Sequence, residues 1–440
     1  MRKLHHLLAA FVVLSFPVKA DNWPQWRGPN FNGSTSEKGL PAQWSQTEGV
    51  RWATDMPGPS AATPIVWEDR VFTTAAIKST QKLVGLALDR KTGKILWERD
   101  AGLGYGKDDQ STYATASPLT DGRLVWFFFG SGDLAAFDLA GNQVWARNLQ
   151  KDYGAFAFLW TFSSSPLLYN GKLYVQVLQR DVPVNGRGRT DGQNDSYLLA
   201  LDPQTGKELW RVVRPTEAVG ESREAFSTPI PCLFQGRAEI LILGGDLLSG
   251  HHPDTGKELW RWGTWNPTHI QSWRLVPSPV IGGGVALACA PKDGPICAVK
   301  LGGNGVMPDA SIAWKVDDRE LTTDVATPLL YEGKFYVANT KKRLLFCVEP
   351  ATGKVLWRGA LEGKTVFDAS PTGADGKIYL MNHNGDVSVV KADPAEFKLL
   401  ASIPMDDSPM DRSKKNRASV AAAQGSLFIR TLAKLYCVGK

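Results

Sequence analysis

The stretch Asp202-Pro203-Gln204-Thr205-Gly206-Lys207-Glu208-Leu209-Trp210 decides the fold, because near-copies of it return along the chain. The copies are Asp89–Trp97, His252–Trp260, Glu349–Trp357 and the shorter Asp138–Trp145. Apolar runs flank each polar turn, so each copy predicts a β-hairpin in which Gly takes the left-handed conformation beside a bulge. Asp202 is placed to accept hydrogen bonds from the N–H groups of the turn. Because a Trp falls at the same point of each outgoing strand, we expect each copy to pack on its neighbour in the same way.

A second recurring signal is a pair of small residues followed by Pro and, in most copies, an apolar residue. Its copies are Ala62–Ile65, Ala116–Leu119, Ser164–Leu167, Ser227–Ile230, Pro277–Val280, Ala326–Leu329, Ala369–Thr372 and the degenerate Ala418–Ala421. Pro is tolerated at the start of a strand, where the first N–H need not join the ladder. The spacing of roughly 45–60 residues is typical of four-stranded propeller blades.

The repeats together predict an all-β protein. Alternating apolar segments separated by Gly-containing turns fill each repeat, and no segment of any length has helical periodicity. The last repeat has room for only three strands, and Val50–Asp55 resembles the outer strand that it lacks. We therefore expect an eight-bladed β-propeller of four-stranded antiparallel blades, the last blade closed by an N-terminal strand.

Three segments are predicted. Residues 1–20 have basic residues at the start, a short apolar core and a small-residue cleavage site at Val18-Lys19-Ala20, which predicts a secretory signal peptide and a periplasmic or extracellular protein. Residues 21–49 form a strap rich in Trp, Pro and Gly, which either fills a groove on the main domain or acts as a ligand lid. Residues 50–440 form the propeller. No Cys stands near Ala20, so no lipoprotein attachment site is expected.

Composition limits the partners. The formal net charge is +6, and about +3 once Arg2, Lys3 and Lys19 leave with the signal, which is too weak to indicate nucleic-acid binding. Beyond the signal no apolar run approaches the length of a transmembrane segment. We expect a monomer.

The five cysteines and six histidines show no metal-binding spacing, so no metal site is predicted. Cys289 and Cys297 flank a turn and either form a disulfide or remain free thiols. His251, His252 and His269 are interpreted as ordinary surface or loop residues.

The repeated turn and the small-small-Pro strand starts resemble the pyrroloquinoline-quinone (PQQ) type propeller repeat over about residues 22–440. That family includes quinoprotein alcohol dehydrogenases and the propeller lipoprotein of the outer-membrane barrel assembly machinery. The opening Trp23–Asn30 resembles the lead of a group of secreted bacterial PQQ-like repeat proteins. The chain departs from the dehydrogenases in having no adjacent cysteines and no C-x-x-C-H haem motif. No cofactor is therefore predicted, and PQQ with Ca²⁺ is what the resemblance implies if the chain is an enzyme.

A site is expected at one mouth of the central channel, where the segments leading into the first strands converge. Aromatic rings and paired charges there suit a small molecule or glycan. The candidate ligand-binding residues are Tyr113, Trp160, Arg223, Glu224, Trp273, Arg274, Asp324, Asp368, Asn416 and Arg417. Channel plugs, structural ion pairs and turn caps are the alternative interpretations of the same residues.

Three other segments were open to two interpretations each. The basic run Arg412–Arg417 is either a solvated loop or an anion contact. The insertions Gln179–Ser196 and Gly302–Asp309 are either plain surface loops or functional loops.

Three functions follow. The preferred one is a non-catalytic scaffold that binds a protein or glycan partner at the channel mouth. The second is a PQQ- and Ca²⁺-dependent oxidoreductase, in which Glu224, Asp324, Asp368 and Trp273 would hold the ion, stack on the cofactor and supply a base. The third is an assembly factor that recruits outer-membrane proteins.

Overall fold

The computed structural model describes residues 21–106, 108, 111–405 and 415–439. The predicted signal peptide, residues 1–20, and residues 412–414 of the basic run lie outside this part of the chain. The strap and the propeller lie within it, apart from residues 107, 109, 110, 406–411 and 440 of the propeller.

Eight antiparallel sheets follow one another along the chain and form the blades of a closed ring. Blade 1 contains the strands Ile65–Trp67, Arg70–Ile77, Lys82–Asp89 and Ile95–Leu103, and blade 2 contains Leu119–Thr120, Leu124–Phe128, Asp133–Asp138 and Gln143–Asn148. Blade 3 contains Leu167–Tyr169, Lys172–Val177, Tyr197–Leu201 and Glu208–Val213, and blade 4 contains Ile230–Phe234, Arg237–Gly244, Leu247–His251 and Glu258–Trp262. Blade 5 contains Val280–Gly282, Val285–Cys289, Ile296–Lys300 and Ile312–Val316, and blade 6 contains Leu329–Tyr331, Lys334–Asn339, Leu344–Val348 and Val355–Ala360. Blade 7 contains Thr372–Ala374, Lys377–Met381, Asp386–Lys391 and Leu399–Pro404, and blade 8 contains Ala421–Ala423, Ser426–Arg430, Lys434–Gly439 and Val50–Asp55.

The eighth blade takes its outer strand from the other end of the chain. Val50–Asp55 pairs antiparallel with Lys434–Gly439, with Ala53 opposite Tyr436. The predicted eight-bladed propeller and its closure by an N-terminal strand are thus confirmed.

Few residues depart from the blade pattern. The described helical segments are the short α-helix Leu149–Tyr153 and the 3-10 turns Gly220–Arg223 and Asp309–Ser311. The insertion at 302–309 lies on the outer edge of blade 4, because its strand Gly305–Val306 pairs in parallel with Glu258–Trp262. That insertion covers an edge that would otherwise have unpaired backbone groups.

The quoted turn folds as its residues predict. Gly206 has φ +69° and donates its N–H to the Asp202 carbonyl at 2.8 Å. The Asp202 carboxylate accepts the N–H groups of Gln204 and Thr205, each at 2.9 Å. The register shifts by one residue at Leu209, which is the bulge.

Most of the repeated Trp residues pack on the turn of the next blade, whereas Trp260 donates to Glu239 of its own blade at 2.6 Å. The Trp145 ring covers Gly206 so closely that a Cβ there would lie 2.6 Å from it, and its Nε1 donates to the Pro203 carbonyl at 2.8 Å. The same ring-on-glycine contact joins Trp52 to Gly93, Trp97 to Gly141, Trp210 to Gly256 and Trp314 to Gly353. Glycine is required at these positions both by its positive φ and by the close approach of the ring.

The pairing register keeps Cys289 and Cys297 apart. Cys297 lies opposite Ala288 and Cys289 lies opposite Ile296. Because directly opposed residues share a face and successive residues alternate, the two sulfurs point to opposite faces of blade 5. All five cysteines are free and buried, so the disulfide alternative is wrong.

The histidine interpretation fails for one residue. His251 is 2% exposed inside blade 4, where its ring contacts Ser249 and the Gly256 carbonyl. A strand with a two-residue repeat that ends in a polar residue does not reveal that its last residue, here His251, is covered by the hairpin to which it belongs.

Candidate functional site

A circle of hydroxyl groups surrounds the channel. A Ser or Thr stands before each strand-starting Pro, and before Val420 in blade 8, and its hydroxyl accepts the backbone N–H of the equivalent residue in the preceding blade at 2.8–3.2 Å. This hydroxyl ring consists of Thr63, Ser117, Ser165, Thr228, Ser278, Thr327, Ser370 and Ser419. The small-small-Pro signal therefore has a second role beside starting a strand, because it links each blade to the next.

The strap closes the channel beyond the hydroxyl ring. Trp23 exchanges backbone hydrogen bonds with Val66 of blade 1, and buried Arg27 donates to the carbonyls of Pro328 and Pro371 in blades 6 and 7. These partners lie within the first strands or at their start, so the strap crosses the end of the channel opposite the mouth. Trp26 of the strap forms the floor of the space above it.

The space between floor and mouth is a chamber of about 370 Å³. Seven of the eight residues of the hydroxyl ring line it, together with Trp26 and mouth residues. The mouth residues on its wall include Asp108, Trp160, Arg274, Asp368 and Arg417.

One side of the mouth is organised around Arg274. Its guanidinium lies 3.7 Å from Glu221 and 3.8 Å from Asp324, and the indole Nε1 of Trp160 donates to Glu221 at 3.2 Å. The Nη1 atom of Arg274 is buried and has no hydrogen-bond partner among the described residues. Arg274 lines the chamber and its nearest carboxylates lie beyond hydrogen-bond distance, so its guanidinium is suited to bind an anionic acceptor there.

The other side is organised around Asp368. Its carboxylate contacts His383 Nε2 at 2.7 Å and Arg417 Nε at 3.1 Å. Burial alone would raise the pKa of Asp368, but the partners His383 and Arg417 more than offset it, and the pKa is lowered. Asp368 is therefore held as a carboxylate beside the chamber.

Asp108 contributes another acidic group to the chamber wall, one that sequence reasoning missed. Its carboxylate accepts the N–H and the hydroxyl of Thr161, each at 2.6 Å. It lies in the loop between Tyr105 and Tyr113, and no repeated motif marks it. Its only signal is its position just before the first strand of blade 2.

The predicted residues divide into two groups. The structure brings Trp160, Arg274, Asp368 and Arg417 to the chamber wall, and Asp324 stands behind Arg274. The remaining candidates Tyr113, Arg223, Glu224, Trp273 and Asn416 support the mouth from outside the lining.

Glu224 is a structural anchor of the mouth. Its carboxylate is fully buried, pairs with Arg180 of the insertion at 179–196, and accepts the N–H of Leu159 at 3.1 Å. Burial raises the pKa of Glu224 to about 7 against the opposing effect of Arg180. Arg187 of the same insertion donates to the Leu159 carbonyl at 2.8 Å, so the insertion holds the segment that carries Trp160.

The other supporting candidates contact mainly backbone. Arg223 donates to the Ala218 carbonyl at 2.9 Å and faces Asp181. Asn416 donates to the His383 carbonyl at 2.9 Å. Trp26 and the hydroxyl ring were missed as site residues because no local pattern shows that the strap and eight separate motifs meet at one axis.

The sequence model of the family described as outer membrane protein assembly factor BamB matches residues 34–182, 157–307 and 305–398. The chain belongs to this family of PQQ-like propellers. The propeller resemblance expected from the repeats is thus confirmed.

Curated relatives include dehydrogenases. The chain is 26% identical to a polyvinylalcohol dehydrogenase of Pseudomonas sp over 203 residues, which cover 43% of this chain and 29% of the relative. It is also 26% identical to the quinoprotein alcohol dehydrogenase PedH of Pseudomonas putida over 312 residues, covering 66% and 49%. The chain spans less than half the length of these relatives.

Solved structures of low identity share the fold. The quinohemoprotein alcohol dehydrogenase of Comamonas testosteroni has a TM-score of 0.64 at 13% identity, covering 95% of this chain and 81% of that one. A europium-containing methanol dehydrogenase has a TM-score of 0.66 at 11% identity, covering 96% and 98%. BamB from Moraxella catarrhalis has a TM-score of 0.57 at 13% identity, covering 89% and 99%.

None of the helices formed by the described residues has the length and apolar character that a bilayer crossing requires.

Proposed function

We propose that the chamber binds a planar anionic small molecule of the pyrroloquinoline-quinone class and that the protein serves a quinone-dependent oxidoreductase function. The observation that carries the proposal is that two arginines, Arg274 and Arg417, and the indole of Trp160 line the same chamber. The dehydrogenase relatives support the proposal, and they favour it over the glycan-binding scaffold that the sequence first suggested.

The wall chemistry fits such a ligand. Arg274 and Arg417 line the chamber wall, where they can bind the carboxylates of a ligand. A guanidinium group binds a carboxylate in a planar and directional way. Trp160 supplies a ring on which a flat molecule can stack. Trp26 closes the floor, so a bound molecule would be shielded from water on that side.

A calcium ion fits less well than the quinone. Among residues 21–106, 108, 111–405 and 415–439, no group of three or more His, Cys, Asp or Glu is arranged to hold a metal ion. The carboxylates of Asp108 and Asp368 are already engaged by Thr161 and by His383 with Arg417. The described residues of the chamber therefore do not fit a Ca²⁺ site.

The chain's own residues have definable roles. Bound PQQ would supply two-electron oxidation chemistry. Arg274 and Arg417 would orient it, and Trp160 would fix its plane. Asp368, kept ionised by His383 and Arg417, would place a negative charge beside the bound molecule.

Titration with PQQ, followed by absorbance with and without Ca²⁺, tests the proposal. We expect Arg274→Met to weaken binding by roughly 10- to 100-fold, as for loss of a charged hydrogen bond. Arg223→Met is the matched control, because Arg223 stands at the same mouth outside the lining. Absence of PQQ binding, or equal weakening in both variants, would contradict the site. Dye-linked oxidation of alcohols by the loaded protein then separates an enzyme from a binding protein.

A second candidate function is partner binding of the assembly-factor type. The bulged residues Leu96, Val144 and Leu209, and Val355 beside the bulge of blade 6, are 39–48% exposed on the outer strands of separate blades. Exposed apolar side chains on strand edges suit pairing with an extended segment of another protein. Co-purification with barrel-assembly components would support this function, and its loss in Leu209→Asp but not Lys207→Asp would assign it to the edge.

A further inference from the structure

Glu37 is a buried carboxylate in the middle of the strap. It is 6% exposed and accepts the backbone N–H groups of Asp21, Gln424 and Gly425, the last two at 3.0 and 2.7 Å. No lysine, arginine or histidine of the described residues lies within ion-pair distance of it. Burying a carboxylate without a cation is costly even when N–H groups surround it.

Contacts made by the carboxylate and the carbonyl group of Asp21 orient its N–H toward Glu37. The Asp21 carboxylate accepts the Thr35 hydroxyl at 2.9 Å and the Ser36 N–H at 3.1 Å. The Asp21 carbonyl accepts the Gln424 N–H at 3.2 Å. The nitrogen is therefore held in place by blade 8 and by the strap, independently of its own bond to Glu37.

Asp21 is also the residue that follows the predicted signal-peptide cleavage site. Hydrolysis of the Ala20–Asp21 bond adds the hydroxide of water to the Ala20 carbonyl carbon and leaves the Asp21 nitrogen as an amine, which gains a proton below its pKa. A nitrogen that carries only a partial charge in the precursor would then carry a full positive charge at the atom that faces Glu37.

We infer that Glu37 is a built binding site for the α-ammonium group of Asp21 and that removal of residues 1–20 completes the strap. The inference rests on the predicted signal peptide and is independent of the proposed quinone site. Trp26 lies five residues further along, so the same ion pair fixes the end of the segment that closes the chamber floor.

The pH dependence of this pair has a definite sign. An unpaired α-amine has a pKa of about 7.7–8.0, and a carboxylate partner raises it in the folded state. The stabilisation is therefore complete below about pH 8 and is lost as the pH rises through the folded-state value.

Two proteins that differ by one residue test the inference. One begins at Asp21 and the other retains Ala20, and we expect the second to melt about 3 °C lower at pH 7, with the difference shrinking as the pH rises above about 8. In the Glu37→Gln background the two N-termini should give equal melting temperatures. Glu48→Gln, the same change at an exposed strap residue, should leave the difference intact. Equal melting of the two wild-type proteins, or a difference that survives Glu37→Gln, overturns the inference.

Two further measurements apply even if Glu37→Gln does not fold. The mass of the N-terminal peptide of the exported protein should show a chain that begins at Asp21, and any other start contradicts the site. Reductive methylation of the α-amine at pH 7 should be at least roughly tenfold slower in the native protein than in urea, because the ion pair removes the neutral amine. Equal rates would overturn the pairing.

Discussion

The backbone N–H of Ser419 in blade 8 donates to the hydroxyl of Thr63 in blade 1 at 3.2 Å, across 356 positions of sequence. This contact closes the hydroxyl ring on the channel side, while Val50–Asp55 closes blade 8 on the outside. The two ends of the chain are thus joined both beside the channel and at the outer edge of the propeller.

Replacing Thr63 by Val should therefore destabilise the whole ring. The change keeps the shape of the side chain but leaves the buried N–H of Ser419 without its acceptor, which costs about 1–3 kcal/mol. Urea unfolding measures the loss in the free energy of unfolding, and Thr63→Ser, which retains the hydroxyl, is the control. Equal unfolding midpoints for the Val and Ser variants would show that the closing bond contributes nothing.

A pair of glycine substitutions measures how much the tryptophan contacts contribute. Gly206 and Gly171 have almost the same conformation, φ +69° and +70°, but a Cβ at Gly206 meets the Trp145 ring whereas one at Gly171 meets nothing within 4 Å. Gly171→Ala should cost about 1 kcal/mol of backbone strain. Gly206→Ala should cost about 2 kcal/mol more because the ring must move. Matching losses would mean that the indole is not packed on the turn.

The repeats predicted the architecture because each one carries its own turn, strand start and docking ring. Gly206 and Trp145 could be expected in these roles from local chemistry alone. The hydroxyl ring was not predicted, since Thr63 and Ser419 meet only after eight blades have closed. Trp26 was missed for a similar reason, because the strap has no period that shows where it crosses the channel.

The pairing register of blade 5 explains why Cys289 and Cys297 do not form a disulfide, and it yields a prediction. Burial raises the pKa of the Cys297 thiol to about 11 and raises that of Cys289 as well. Neither thiol should react with a disulfide reagent in the native protein at pH 8, and all five should react in denaturant without prior reduction. Counting fewer than five thiols in denaturant would indicate a disulfide and a different register in blade 5.

His251 should make the stability of blade 4 depend on pH. Its Nδ1–H donates to the Gly256 carbonyl at 3.0 Å, so Nε2 must accept from the Ser249 hydroxyl, whose oxygen already accepts from Arg214. A second ring proton would face that hydroxyl and the guanidinium beyond it. Burial is the main cause that lowers the pKa of His251 to about 4.

The sign follows from proton binding. Between pH 4 and about 6.5 the unfolded chain binds a proton at His251 that the folded chain does not, so the free energy of unfolding rises with pH through this window. The stabilisation is complete above about pH 6.5 and is lost as the pH falls to 4, amounting to roughly 3 kcal/mol. Urea unfolding of the wild type and of His251→Gln from pH 4 to 8 measures it: the variant should lose this part of the slope, whereas His269→Gln at an exposed position should retain it. Parallel profiles for all three proteins would mean that His251 titrates alike in both states, which its enclosure between Ser249 and Gly256 does not allow.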